Sequence, residues 1–314
     1  MAEETTTQDV VYSLAASPTF DRDGLCFAAR ASGLYRSEDG GLTWQDAYAS
    51  LELDTALPTA AVAVSPDFQA DGCVFAGVPG AILRSLDGGR SWFVTRLPSP
   101  PPLVLALVVS PNWAHDGTLL AGTLEDGVFR SGDRGALWPT WNFGLLDLNV
   151  LCLAISPDFA HDETLFAGTE SGIFRSTNGG RAWREVDFSP DAAPVLTLAL
   201  SPNYANNGVL FAGTESQGLF RSDDRGHHWV RLGESIVTDA VNGLILSPQF
   251  PAQPHMLVVQ GDALLVSRDG GHTWSPWQAG WSAGRDIASV IAPQGLDPGA
   301  PLLVGLVGGD VLRI

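Results

Sequence analysis

Three features of the sequence predict an all-β fold built from repeated units. An eight-residue segment recurs six times, beginning at Ser37, Ser85, Ser131, Ser176, Ser222 and Ser267. Successive copies lie 45 to 48 residues apart, with a mean period of 46. The residues between copies form short runs of Val, Leu, Ile and Phe separated by Gly, Pro and Asp, which is typical of strands and turns. Four short strands in a unit of this length are typical of a β-propeller blade, so we expect one propeller over residues 1–314.

The fourth repeat shows the predicted antiparallel blade most clearly. Its strands, labelled A to D from the centre of the ring outward, are expected at residues 150–155, 164–167, 173–175 and 182–186. The recurrent segment then lies in the turn between strands C and D. Its Ser and Asp can bond backbone N–H groups, its glycines can adopt positive φ, and its Trp can pack between neighbouring blades.

The recurrent segments, called boxes below, occupy residues 37–44, 85–92, 131–138, 176–183, 222–229 and 267–274. Their paired key positions are Asp39 and Trp44, Asp87 and Trp92, Asp133 and Trp138, Asn178 and Trp183, Asp224 and Trp229, and Asp269 and Trp274. Copies one, two and six fit the pattern S-x-D-x-G-x-T-W closely, with Ser91 for Thr in the second. The others carry Leu137, Ala182 and His228 at the Thr position. We expect all six boxes to be structural.

This pattern resembles the Asp-box, or BNR repeat. The families that share it include sialidases, two-propeller xyloglucan-cleaving glycosidases, sortilin-type receptor ectodomains and photosystem II assembly factors. The resemblance covers about residues 10–314 and implies that the boxes lie on the face opposite the catalytic or binding face. The resemblance is strong evidence for the fold and weak evidence for the function.

Six boxes do not complete the ring. After the last box, residues 286–293, 301–307 and 310–314 resemble strands A, B and C of a seventh blade. One more period would start a seventh box at about residue 313. We therefore expect residues 285–314 to form blade seven and residues 3–9 to supply its outermost strand, which would close the ring and cover its edge. A six-bladed ring is the alternative.

Composition excludes several classes of partner. Asp and Glu total 35 against 17 arginines and no lysine, which gives a formal charge of −18. This charge repels nucleic acid and anionic lipid headgroups, so neither is an expected partner. The longest apolar run, residues 101–109, is shorter than the roughly 18 residues that a membrane span needs.

Location and cofactors are predicted from the N-terminus and the cysteines. The first residues have neither a basic start nor an apolar core, so the given chain carries no signal peptide, although a removed leader would leave the same sequence. Cys26 and Cys73 occupy matching strand positions and are expected to be buried thiols. Because no Cys or His spacing matches a compact metal site, we expect no metal or cofactor. We also expect the protein to be a cytoplasmic monomer.

The loop face, defined as the face formed by the B–C and D–A loops, is the predicted binding surface. It is expected to carry Glu125, Asp126, Trp141, Glu170, Glu215, Asp262, Trp277, Trp281 and Arg285. Acidic side chains with exposed aromatics suit a protein or a basic peptide. Two alternatives stay open. Trp141 and Trp277 each follow a box Trp by three residues and could pack in the core, and the acids could serve solubility alone.

A further column of residues precedes each box Ser. Arginine stands there in six blades, at Arg36, Arg84, Arg130, Arg175, Arg221 and Arg313. A residue repeated in nearly every blade is expected to be structural, bonded to a neighbouring turn or stacked on an aromatic ring.

The residues favour binding over catalysis. The resemblance to sialidases would require a Tyr nucleophile with a Glu partner, and only Tyr48, near Glu52, is placed for it; the Arg-Ile-Pro motif of those enzymes is absent. Loop carboxylates leave a glycoside hydrolase or carbohydrate-binding propeller as the alternative. We expect a non-catalytic interaction scaffold similar to the assembly-factor branch.

Overall fold

The computed structural model describes residues 8–98 and 100–314, which form seven antiparallel sheets around one axis. Blade one contains β1 (Val11–Ala16), β2 (Cys26–Arg30), β3 (Gly33–Ser37) and β4 (Gln45–Asp46). Blade two contains β5 (Ala61–Val64), β6 (Val74–Val78), β7 (Ala81–Ser85) and β8 (Phe93–Arg96). Blade three contains β9 (Leu103–Val109), β10 (Leu119–Leu124) and β11 (Gly127–Ser131). Blade four contains β12 (Val150–Ile155), β13 (Leu165–Thr169), β14 (Ile173–Ser176) and β15 (Arg184–Glu185).

The remaining blades repeat this order. Blade five contains β16 (Val195–Leu200), β17 (Leu210–Thr214), β18 (Leu219–Ser222) and β19 (Val230–Leu232). Blade six contains β20 (Gly243–Leu246), β21 (Met256–Gln260), β22 (Ala263–Ser267) and β23 (Ser275–Pro276), and blade seven contains β24 (Ile287–Ile291), β25 (Leu303–Leu306) and β26 (Val311–Arg313). One-turn helices α1 to α5 in the A–B loops span Phe20–Asp23, Phe68–Asp71, Trp113–Asp116, Phe159–Asp162 and Tyr204–Asn207, and 3₁₀ turns span Ala49–Leu51 and Pro190–Ala192.

Seven apolar clusters hold the blades together, one at each junction between neighbours. The innermost strands also contact each other in order, and β24 of blade seven packs against β1 of blade one. At that last junction Val11, Leu14 and Phe20 of blade one are buried with Leu303 of blade seven. The predicted seven-bladed fold is therefore confirmed, and the six-bladed alternative is wrong.

Two blades differ from the predicted four strands. In blade three a single bridge between Phe129 and Thr140 replaces strand D, because Pro139 lacks the N–H group that a regular ladder needs. Blade seven has three strands among the described residues. The closing strand predicted over residues 3–9 lies mostly outside the described range, and Gln8 and Asp9 are not in a strand.

Each box is a hydrogen-bonded turn, as the second box shows. Ser85 Oγ donates to Asp87 Oδ1 at 2.7 Å and accepts from Gly89 N at 2.8 Å. Asp87 Oδ1 also accepts the N–H groups of the next turn, and Ser91 Oγ donates to Asp87 Oδ2 at 2.6 Å. Gly89 has φ +82°, and a Cβ there would strike the Phe27 ring of the preceding blade. The box therefore closes a turn and packs that turn against the preceding blade.

The degenerate boxes retain part of this network. His228 Nδ1 bonds Asp224 Oδ2 at 2.5 Å in place of the Thr hydroxyl. Asn178 Oδ1 accepts from Ser176 Oγ at 2.9 Å, so an amide can occupy the Asp position. In both boxes the residue at the Asp position still accepts a hydrogen bond within the turn.

The A–B loops lie on the box face, defined as the face that carries the boxes. Gly88 N of the second box donates to Gly72 O of the A–B loop at 2.9 Å, and equivalent bonds recur in other blades. A second turn, which the sequence analysis did not recognise, fixes these loops: Ser65 Oγ donates to Asp71 Oδ2 at 2.8 Å and Cys73 N donates to Asp71 Oδ1 at 2.8 Å. Many of the acidic side chains are therefore hydrogen-bonded within turns.

The arginine column links consecutive blades, which confirms its predicted structural role. Arg36 Nε donates to Gly88 O at 2.7 Å, and Arg84 donates to Arg134 O at 2.7 Å. Arg175, Arg221 and Arg313 make the same contact at 3.3 to 3.5 Å. Arg130 instead stacks on the Trp141 ring at 4.4 Å. In most blades the arginine therefore holds the box turn of its neighbour.

Replacing Arg36 tests this link. The side chain is 11% exposed and also pairs with Glu38 at 2.6 Å. We expect Arg36→Ala to lower the free energy of unfolding by about 1–3 kcal/mol, because it removes a charged hydrogen bond from a buried carbonyl. Urea denaturation measures the change. Arg22→Ala, at a side chain 75% exposed, is the control and should leave the midpoint unchanged. Equal midpoints for both variants would contradict the assignment.

Candidate binding face

The loop face presents a carboxylate in the B–C loop of each of four consecutive blades. Glu125, Glu170, Glu215 and Asp262 occupy blades three to six, and all four are exposed. Each follows directly after strand B or begins the turn into strand C, as the sequence predicted. Because these loops are short, they place the four carboxylates on one face.

An asparagine joins two of these loops. Asn149 Oδ1 accepts from Glu125 N at 3.0 Å, and Asn149 Nδ2 donates to Glu170 Oε2 at 2.8 Å. At the same junction between blades three and four, Asp147 Oδ2 accepts from Ser171 N at 2.8 Å. Burial is the largest influence on the pKa of Asp147 and raises it, but the bonds from Asn149 and Ser171 outweigh burial and lower the pKa overall. The blade three–four junction therefore carries fixed negative charge.

Other acidic residues of the loop face have hydrogen-bond or ion-pair partners within the protein. Asp262 Oδ2 accepts from Ser282 Oγ at 2.5 Å, and Arg285 lies 3.6 Å from Asp310. Asp126 is half-buried, and its backbone carbonyl accepts from Asn142 Nδ2 at 2.8 Å. Arg285 therefore neutralises part of blade seven, and the unpaired negative charge of the face is concentrated on blades three to six.

The structure favours the packing alternative for Trp141 and Trp277. The Trp141 ring lies 4.4 Å from Arg130 and 5.7 Å from Arg181 of the fourth box, and its carbonyl accepts from Trp183 Nε1 at 2.7 Å. Trp277 packs on the apolar cluster between blades six and seven and lines a cleft with Arg268 of the sixth box. Both rings therefore lie toward the box face and contribute to blade junctions.

Trp281 is also a packing residue. It is half-buried against the apolar cluster between blades six and seven. The loop face consequently has acidic side chains as predicted, but its tryptophans contribute mostly to the blade junctions.

The residue required for a sialidase-like reaction is buried. Tyr48 is 3% exposed, its hydroxyl bonds Thr59 Oγ1 at 3.0 Å, and its ring packs edge-on against Trp92 at 5.5 Å. Burial raises the pKa of Tyr48 well above its usual range, so the phenol stays protonated. Tyr48 therefore supports the junction of blades one and two and does not reach a substrate.

The pKa values of the carboxyl groups indicate whether they could serve as the proton donor of a glycosidase. A glycosidase acid must remain protonated near neutral pH, which requires a raised pKa. In the described ranges, the carboxyl groups whose pKa clearly departs from its ordinary value are all lowered, and they are Glu38, Asp39, Asp87, Asp133, Asp147, Asp224 and Asp269. These groups suit structural acceptors of hydrogen bonds and not proton donors.

The cysteines are held as protonated thiols. Burial is the largest influence on Cys26, Cys73 and Cys152 and raises the pKa of each to about 12. A thiol that stays protonated is a poor nucleophile and a poor metal ligand. The expectation of buried structural thiols at Cys26 and Cys73 is confirmed.

One cleft on the box face contains a network of ion pairs. This cleft lies between blades one and two and has a volume of about 840 Å³. Glu38 lies in it and pairs with Arg36 at 2.6 Å and with Arg90 at 3.0 Å. These three charged side chains are therefore already partnered within the fold.

Neither a metal-binding cluster nor a membrane-spanning helix is present in the part of the chain that the structure describes. Across 8–98 and 100–314, His, Cys, Asp and Glu form no group of three or more arranged to hold a metal ion. None of the helices in these ranges has the length and apolar character needed to cross a bilayer.

Two exposed apolar residues between blades three and four were not predicted from the sequence. Phe143 is 80% exposed and Leu146 is 79% exposed. The available signal was the run NFGLLDLN at residues 142–149, in which apolar side chains alternate with turn-forming ones.

Comparison with known proteins identifies the fold. No protein-family model matches the chain, and no curated protein matches it in sequence. A GH74 xyloglucanase from Xanthomonas campestris is 18% identical, with a TM-score of 0.73 over 96% of this chain and 51% of that enzyme. YCF48 bound to D1 peptide is 18% identical, with a TM-score of 0.72 over 98% of this chain and 94% of that one. YCF48 from Cyanidioschyzon merolae is 14% identical, with a TM-score of 0.69 over 98% and 96%.

These similarities define a seven-bladed β-propeller. The chain spans about half the length of the xyloglucanase and nearly all of the two YCF48 chains. One group of structural neighbours hydrolyses a polysaccharide and another binds a peptide, so the fold is compatible with both activities.

Proposed function

We propose that the protein is a non-catalytic binding module that holds a basic polypeptide on its loop face. The observation that carries this proposal is the arc of exposed carboxylates at Glu125, Glu170, Glu215 and Asp262, fixed by short turns on consecutive blades. A rigid negative surface attracts a positive partner and sets its orientation. The peptide bound to YCF48 in a structure of similar fold and length supports a polypeptide over a small molecule.

The alternative is a propeller that binds or cleaves a polysaccharide through its loop carboxylates. The fold of the xyloglucanase supports it. The burial of Tyr48 counts against a Tyr nucleophile, and the lowered pKa of Asp147 counts against that carboxyl group as a proton donor. We therefore favour a protein partner, and we propose separately that the chain acts as a cytoplasmic monomer.

Charge reversal on the loop face tests the proposal. The probe is a labelled synthetic peptide of lysine and glycine, and its affinity is measured by fluorescence anisotropy at low and physiological salt. We expect Glu170→Arg with Glu215→Arg to weaken binding about tenfold or more, because two attractive charges become repulsive. The remaining affinity should fall as salt increases.

The matched control reverses the same charge on the box face. Asp67 is exposed in an A–B loop, so Asp67→Arg should change affinity far less than the double variant. Binding that is equally weakened by Asp67→Arg would reduce the effect to net charge and contradict a defined site. Hydrolysis of xyloglucan or another β-glucan by the purified protein at an enzyme-like rate would replace the proposal with its alternative.

A further inference from the structure

The turn at residues 142–145 is a rigid platform at the blade three–four junction. Leu145 N donates to Asn142 O at 2.9 Å, and Gly144 has φ +78°, a conformation that favours glycine at this turn position. Asn142 Oδ1 accepts from Val128 N at 2.8 Å, which ties the turn to strand β11. Because blade three lacks a regular outer strand, this segment takes its place.

The same turn is also fixed to blade four. Phe143 O accepts from Trp183 N at 2.8 Å, and a Cβ at Gly144 would strike the carbonyl oxygen of Trp183. Leu145 is 5% exposed in the apolar cluster between the blades. Contacts on both sides therefore hold the backbone in one conformation.

This well-anchored segment exposes apolar side chains. Phe143 and Leu146 are 80% and 79% exposed, and Leu148 is 37% exposed. We call these three residues the apolar rim. By contrast, the exposed Leu42, Leu86 and Leu137 are single residues on the boxes of three different blades. Isolated exposed leucines are ordinary, whereas adjacent ones on a fixed turn indicate an interaction surface.

Acidic groups border the apolar rim on the loop-face side. Asp147 lies between Leu146 and Leu148 in the chain, and the Asp126 carbonyl is bonded to Asn142. Leu148 O accepts from Gly127 N at 2.9 Å, which places that end of the rim beside the B–C loop of Glu125. Asn149 continues the border to Glu170.

The charge beside the rim is negative. Asn149 links Glu125 and Glu170 next to Leu148. Negative charge is therefore concentrated at the Leu148 end of the rim. A bound segment should place its basic residues over Glu125 and Glu170 and its apolar residues over Phe143 and Leu146.

We propose that the apolar rim and its acidic border form the anchoring site for an amphipathic basic segment of a partner protein. This inference rests on the proposed function and specifies where on the loop face binding is strongest. Apolar side chains at the centre of a polar border supply most of the affinity in such interfaces, while the charges set orientation and association rate.

Two peptides of equal charge test the inference. One alternates lysine with glycine, and the other alternates lysine with leucine. The wild-type protein should bind the leucine peptide about tenfold more tightly. Phe143→Ser with Leu146→Ser should abolish that preference and leave the affinity for the glycine peptide unchanged. Phe143→Leu should retain most of it.

The control double variant, Leu42→Ser with Leu137→Ser, removes equally exposed leucines from the box face and should retain the preference. Thermal unfolding establishes that each variant is folded. If the rim variant binds the leucine peptide as tightly as the wild type, the anchoring site is wrong while the basic-peptide function stands. If the wild type binds neither peptide, the proposed function fails and the anchoring site with it.

Discussion

Trp113→Ala should lower the free energy of unfolding by about 3–5 kcal/mol, the range found when a large buried aromatic is removed. Trp113 belongs to helix α3 of blade three and is fully buried. Its ring packs edge-on against Phe75 of blade two at 5.3 Å, and its Nε1 donates to Asp71 Oδ2 at 2.6 Å. The substitution therefore opens a cavity between two blades and takes a donor from Asp71. Chemical denaturation measures the loss.

Two variants separate the causes of this effect. Trp113→Phe keeps most of the ring but removes the bond to Asp71, and we expect a loss of about 1 kcal/mol. Leu137→Ala, at a side chain 69% exposed, should change the stability by less than about 0.5 kcal/mol. A loss below about 1 kcal/mol for Trp113→Ala would show that the junction adapts to the cavity and that the blades are packed more loosely than described.

Stability should fall as the pH drops from about 4 to about 2. In the sixth box, the side-chain bond from Thr273 is the largest influence on Asp269 and lowers its pKa to about 2. Burial is the largest influence on Asp87 and raises its pKa, but the bonds from Ser91, Ser85 and Arg90 lower it overall to about 2. A lowered folded-state pKa contributes stability above the unfolded value, near 3.8, and this contribution is lost as pH falls through the folded value.

The pH effect is cumulative. Each box carboxylate is exposed and contributes little alone, but Asp39, Asp133 and Asp224 are shifted in the same direction. We expect Asp87→Asn with Asp269→Asn to flatten the dependence of the melting temperature on pH between 4 and 2. Asn178 shows that an amide fits this position. Asp67→Asn is the control and should retain the wild-type slope; an unchanged slope in the box variant would contradict the account.

The sequence was informative wherever a feature repeats in register. Box spacing predicted the number of blades, and the repeated position of Arg36 and its equivalents predicted a structural link, because equivalent residues meet equivalent neighbours. The acids at Glu125 and Glu170 were placed on the correct face for the same reason, since strand alternation fixes which end of a blade a B–C loop occupies.

Features that depend on a single junction were not predictable. The sequence left the position of Trp141 open, because its packing depends on Pro139 interrupting the outer strand and on a bond to Trp183, 42 residues later in the sequence. The burial of Tyr48 depends on Trp92 of the next blade. The alternating run at residues 142–149 indicated apolar residues in a turn, but which of them are exposed follows from the same contacts between blades. The closing strand predicted at residues 3–9 stays a prediction.

The shortness of the outer strands restricts how a partner can attach. Strands β4, β15 and β23 have two residues each, β19 has three, and β8, with four, is the longest of the five D strands in the described ranges. A peptide that binds by β-strand addition needs a longer row of free N–H and C=O groups. We therefore expect partners at these five blades to be recognised through side chains, so that selectivity depends on loop composition and can change without altering the blades.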